Sequence, residues 1–167
     1  MFACGIGAPE PVIEAAKAQG MTTLALIGSP HHVARTIAAG VDIIVAQGYD
    51  AGAHTGTIGT YSLVPQIVEA AGDVPVLVAG GVATGKHIAA ALAMGAQGVW
   101  MGTAWLFSEE HQRHMHPINT QKLIEAGSGD TVITRSESGK TFRQVRSGWS
   151  QAWEAEGAPA PLKMPYQ

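Results

Sequence analysis

The chain of 167 residues is poor in several features that mark whole classes of protein. It holds a single cysteine, Cys4, which excludes an internal disulfide framework and fits a reducing compartment. Aromatic residues make up only 6% and charged residues 14%. A net charge of −3 offers no basic field for nucleic acid or anionic lipid, which excludes partners of either kind. No apolar run approaches the roughly 18–20 residues of a membrane span. The N-terminus also lacks the basic-then-apolar layout of a secretory signal. A soluble, cytoplasmic protein is the expectation.

What the chain does have is alanine, glycine and short apolar runs. Apolar residues reach 46%, enough for a globular domain with a sizeable core. Small side chains let helices lie close on strands, which points to an α/β fold. TTLALI (22–27), DIIVA (42–46), PVLVA (75–79) and GVWMG (98–102) show little polar alternation. Strands buried on both faces of a parallel sheet read this way. Between them, PEPVIEAAKAQG, SPHHVARTIAAG, YSLVPQIVEAAG and ATGKHIAAALAMG read as helices, each closing on a glycine suited to a left-handed cap. MFACGIG reads as the end of one more strand, giving five at most.

A repeated strand–helix unit builds either a doubly wound sheet or a TIM-type barrel. A complete barrel needs eight strands and roughly 250 residues. The expected fold is therefore α/β, a partial TIM-type (β/α) barrel of four or five units over residues 1–108. Residues 109–167 read as a helical and irregular extension, with helices broken at Pro117, a strand-like TVITR and a proline-rich tail from Gly157. No linker marks a separate second domain.

The chemistry concentrates at the strand ends. Gly80-Gly81 and Gly102-Thr103 close two consecutive strands with one helix between them. Backbone N–H groups left bare by glycine, beside a helix N-terminus, make a phosphate site, and barrels commonly place one after their last strands. The plainer reading, that these glycines merely permit strand-to-helix turns, stays open. A second stretch, AQGYDAGAHTG (46–56), puts His54 just behind a core strand, where barrel enzymes draw their catalytic groups.

AQGYDAGAHTG together with LVAGGVATGKHIAAALAMGAQGVWMGT resembles the nitronate monooxygenase family of FMN-dependent TIM-barrel flavoproteins. FMN-dependent enoyl-thioester reductases share much of the pattern. The resemblance covers residues 1–106 and, more loosely, SGKTFRQVRSGW and the PLKMPYQ ending. It implies FMN as cofactor, with Gln47 and Gly52 against the flavin and Gly80, Gly81, Met101, Gly102 and Thr103 holding its phosphate. It implies His54 as the catalytic residue acting on the substrate Cα proton or orienting the nitro group. An imidazole is largely neutral near pH 7 and can take a proton from an acidic C–H. Ala53 departs from the pattern, because relatives carry glycine there; a positive φ at that position would strain the extra Cβ.

The implied reaction oxidises alkyl nitronates or nitroalkanes with O₂ to a carbonyl compound and nitrite. An NAD(P)H-dependent enoyl-thioester reductase is the alternative, and an inactive or weakly FMN-binding half-barrel is a third reading. Family barrels begin with strands that this chain lacks before Met1, so a missing N-terminal half-barrel or a homo-oligomer is expected to close the sheet.

Other polar residues invite plainer readings. His111, His114 and His116 lack zinc-site spacing and read as a solvated helix face. His31 and His32 read as surface groups in a first helical turn. Lys86 and His87 read equally as helix surface or as phosphate neighbours. Cys4, Trp100 and Trp105 read as packing residues.

Overall fold

A computed structural model describes residues 1–5, 7–136 and 138–160. They form two compact units: residues 1–51 with 56–101, and residues 52–55 with the chain from Gly102 onward.

The first unit is a five-stranded parallel sheet. β1 (Phe2–Cys4), β2 (Thr23–Ile27) and β3 (Ile43–Gln47) lie side by side in chain order. The short β4 (Ala53–His54) belongs to the second unit. β5 (Val76–Ala79) then pairs with β3, and β6 (Gly98–Trp100) with β5, giving the order β1-β2-β3-β5-β6. Helices α1 (Glu10–Ala18), α2 (Val33–Ala38), α3 (Thr60–Ala71) and α4 (Gly85–Ala93) fill the crossovers that parallel pairing requires.

The apolar runs explain the sheet directly. Side chains alternate across a strand, so unbroken runs feed both faces. Ile44, Ala46, Val76 and Val78 pack with Leu63, Val64 and Ile67 of α3. Their neighbours Ile43, Val45, Leu77 and Ala79 line the other face with Leu24, Leu26 and Trp100. Glycine closes the helices as the sequence implies, with Gly20 at φ 69° and Gly40 at φ 78°. The segment SPHHVARTIAAG is the exception to a continuous helix. It opens as a 3₁₀ turn, Pro30–His32, and only then becomes α2. Cys4 ends β1 half-buried.

The N-terminal ends of the strands are pinned by charge. Asp42 accepts hydrogen bonds from the N–H and Oγ1 of Thr23, both at 2.8 Å, and pairs with Lys17 Nζ at 2.8 Å. Lys17 also donates to the Gly40 carbonyl at 2.6 Å. The Lys17 contact and the Thr23 N–H hold the Asp42 carboxyl below the usual carboxylate range, at about 2.

The second unit contains a three-stranded antiparallel sheet, β4-β8-β7. β7 (Thr131–Thr134) is the TVITR run; its partner β8 (Phe142–Val145) falls in a stretch whose sequence lacks a strand pattern. α5 (Glu109–Gln112), α6 (Pro117–Glu125) and α7 (Gly148–Glu154) complete the unit, with a 3₁₀ turn at Thr103–Phe107. Trp100 packs as expected, but Trp105 is 63% exposed, because the 3₁₀ turn that carries it has no buried residue. The PLKMPYQ ending lies outside the described residues.

Candidate active site

In the first unit the C-terminal strand ends crowd together. Gln47 ends β3 in register with Ala79 at the end of β5. Gly48 donates its N–H to the Ala79 carbonyl at 2.9 Å, and Ala51 turns back on the Gly48 carbonyl at 3.1 Å. A Cβ on Gly48 would overlap Oγ1 and Cα of Thr60 and stand 2.6 Å from its nitrogen. A Cβ on Gly56 would stand 2.8 Å from the Gly28 carbonyl oxygen. These glycines are required because backbone lies against backbone.

Gly80 and Gly81 both take positive φ, 97° and 73°. At Gly80 the chain itself fills the place of a side chain: a Cβ there would stand 2.9 Å from Ala51 N and 3.0 Å from Gly48 O. Loop packing is therefore one reason for glycine at 80. At Gly81 only Asp50 stands near. Four residues on, α4 begins behind its cap residue Thr84, where His87 Nδ1 accepts from the N–H groups of Ala83 (3.1 Å) and Thr84 (3.2 Å). His87 thus serves the helix end, and its acceptor Nδ1 leaves the ring proton on Nε2. Met101 follows β6 half-buried.

In the second unit, β4 carries His54. It pairs with Phe142, and Ala53 pairs with Arg143; Thr55 extends the ladder by donating to the Thr141 carbonyl at 3.1 Å. His54 Nε2 is hydrogen-bonded to the hydroxyl of Ser138, which is 2% exposed. The Phe142 ring meets the imidazole edge-on, centroids 5.0 Å apart at 87°. A buried hydroxyl and an aromatic edge together fix the plane of an otherwise exposed imidazole. Ala53 has φ 66°, alone among the described non-glycine residues in the left-handed region. The strain expected of its Cβ is therefore present.

Gly52 and Thr103 also meet in this unit. A Cβ on Gly52 would lie 3.0 Å from Thr103 Oγ1, so glycine makes room for the hydroxyl. Gly102, by contrast, has nothing within 4 Å of where a Cβ would stand. A phosphate oxygen can approach that backbone. In the first unit, Gly85 at the start of α4 is equally open. The open backbones at Gly85 and Gly102 each leave the room a phosphate-bearing cofactor needs, whereas Gly81 has the Asp50 side chain beside it and Gly80 carries a packing constraint of its own.

Sequence reasoning did not find Ser138 or Phe142 as partners of His54. The signal was the SGKTFRQV stretch, readable only with the pairing known. His111, His114 and His116 are exposed or nearly so, and His116 Nδ1 accepts from the Ile118 N–H at 3.3 Å as a helix cap.

Parallel strands joined by helices, with glycines and polar groups gathered after the strand ends, define a (β/α)-barrel type of enzyme scaffold, present here in part. The nitronate monooxygenase family model matches residues 1–167, and the chain belongs to that family. It is 46% identical to "Putative monooxygenase Rv1533" of Mycobacterium tuberculosis over 100% of this chain and 44% of that protein. Among solved structures it is similar to nitroalkane oxidase from Streptomyces ansochromogenes, with 31% identity and a TM-score of 0.84 over 99% of this chain and 50% of that one. It is also similar to FabK from Thermotoga maritima, with 32% identity and a TM-score of 0.82 over 89% and 47%. The chain spans about half the length of these relatives.

Proposed function

We propose that the chain supplies part of an FMN-dependent oxidoreductase that oxidises alkyl nitronates or nitroalkanes with O₂ to a carbonyl compound and nitrite. The observation that carries this reading is His54, an exposed imidazole held by the buried Ser138 hydroxyl and the Phe142 edge. A held imidazole suits a substrate whose C–H is made acidic by a nitro group, since the ring can take that proton or hydrogen-bond the nitro oxygens. Family membership over the whole chain and the likeness to a nitroalkane oxidase support it.

Bound FMN would supply the electron-accepting chemistry. Within the first unit, Gln47 would lie against the flavin, and Gly80, Gly81 and Met101 would serve its phosphate end. Within the second, Gly102 and Thr103 would offer backbone N–H and hydroxyl donors to the phosphate, with Gly52 giving the Thr103 hydroxyl its room. Partners on this reading are a small nitronate and O₂, with a further barrel segment or a second copy closing the sheet.

Nitrite release and O₂ uptake with propionate-3-nitronate test the reaction. His54→Asn is expected to lower turnover by about a hundredfold, the lower range for removing a proton-handling group. Unchanged turnover would remove His54 from the chemistry. The likeness to FabK favours a second reading, an NAD(P)H-dependent enoyl-thioester reductase. Anaerobic bleaching of the flavin by NADPH supports that reading, and its absence with sustained nitrite release supports the first.

A further inference from the structure

We infer that Thr60 is a positioning residue, one half of a clamp with Asp50 that sets the direction of the Gly81 N–H. The ligand it serves rests on the FMN reading above; the clamp itself does not.

Thr60 opens α3, whose cap residue Gly59 has no side chain to satisfy the first turn. Asp50 Oδ2, from ten positions earlier, accepts from the Thr60 N–H at 2.9 Å. The Thr60 hydroxyl then donates to the carbonyl of Gly80 at 3.1 Å, twenty positions later. One residue thereby ties the β3 loop to the β5 loop. Gly48 has given up its side chain to let Thr60 in, and Gly80 is pressed against the same hydroxyl, 3.1 Å from where its Cβ would be.

Peptide geometry makes this tie directional. The Gly80–Gly81 peptide is planar and trans, so its carbonyl and the N–H of Gly81 point in opposite senses. Anchoring the Gly80 oxygen on Thr60 aims the Gly81 N–H away from Thr60. The flanking residues are two positive-φ glycines, which by themselves hold that plane poorly. A helix cap would need only the Asp50 contact. The second bond, to a carbonyl outside the helix, is what a cap does not explain.

The test compares the full chain with Thr60→Ser, Thr60→Val and Thr60→Ala, the last removing the hydroxyl without adding bulk should the valine variant fail to fold. Amide exchange is followed at Gly48, Tyr49 and Ala51, whose N–H groups donate to Ala79, Ile58 and Gly48 carbonyls. Flavin fluorescence gives the affinities for FMN and for riboflavin, which lacks the phosphate. Loss of the hydroxyl is expected to speed exchange at these amides and weaken FMN binding by about tenfold each, with riboflavin and the serine variant within about twofold of the parent. Wild-type exchange in the valine and alanine variants overturns the clamp. Equal loss of FMN and riboflavin overturns the aiming of Gly81 in favour of a general structural role. A parent chain that binds no FMN defeats the cofactor reading instead, and the exchange arm then decides the clamp by itself.

Discussion

In the parallel sheet, β2, β3 and β5 are buried on both faces; in the antiparallel sheet, β8 is half-buried throughout and β4 is exposed. In the deep sheet's loops Gly48, Gly56 and Gly80 are taken up by backbone packing. The shallow sheet presents a histidine to solvent while a hydrophobic edge and a buried hydroxyl hold it. The same contrast runs through the glycines. Gly48 is walled in by Thr60, and Gly102 faces open space.

The largest expected effect breaks that contrast at its tightest point. Gly48→Ala drives a methyl into the first residue of α3 and is expected to cost about 3 kcal/mol, since backbone cannot retreat as a flexible side chain can. Gly102→Ala, with room for its Cβ, is expected to stay within about 0.5 kcal/mol. Urea unfolding of the two variants measures both. Equal losses would mean that the two glycine environments do not differ as described.

A smaller effect is expected in the shallow sheet. Ser138→Ala removes the hydroxyl from His54 Nε2 and is expected to lower nitrite release by about tenfold while costing about 1 kcal/mol of stability. Loss of stability without loss of rate would make the serine a structural partner only.

The contrast also explains what could be read before any coordinates. β2, β3 and β5 announce themselves, because a strand buried on both faces has an unbroken apolar run such as TLALI or VLVA. Their helices announce themselves through alanine-rich periods closed by glycine. His54 and its position behind a core strand were legible too. Its partner was not, since Ser138 lies 84 positions away and β4 has only two residues, too few for any periodicity. β8, half-buried at every position, likewise shows no alternation to detect. Gly80 carried a constraint the sequence did not show: a glycine pair after a strand suggests a ligand, and Gly80 is also pressed by the Ala51 and Gly48 backbones. Sequence shows that a residue must be small but not what crowds it.

Ala53 offers a gentler probe of the same sheet. Its φ of 66° costs an L-residue roughly 1 kcal/mol or more, while glycine there loses about 0.4–1 kcal/mol to the freer unfolded chain. Ala53→Gly is therefore expected to raise the urea midpoint slightly, by less than about 1 kcal/mol in stability. A fall in the midpoint would show that the alanine methyl gains more from its surroundings than the strain takes away.

The smallest effect lies at the other end of the parallel strands, where barrel scaffolds keep stability rather than function. Asp42 and Lys17 are 35% and 44% exposed, so water screens their attraction and Asp42→Asn is expected to cost no more than about 1 kcal/mol at pH 7. The sign of the pH dependence follows from the depressed carboxyl, at about 2 when folded against an ordinary 3.8. The unfolded chain binds the proton first, so the contribution is complete above about pH 5 and is lost as pH falls from there toward 2. Urea unfolding of the parent and Asp42→Asn at about pH 7, 4 and 3 should show the gap between them narrowing in that order. Nitrite release near neutral pH should be unaffected, because Asp42 sits at the N-terminal end of β3 and Gln47 at the opposite end. A gap that widened on acidification would mean that Lys17 and Thr23 do not favour the charged carboxylate.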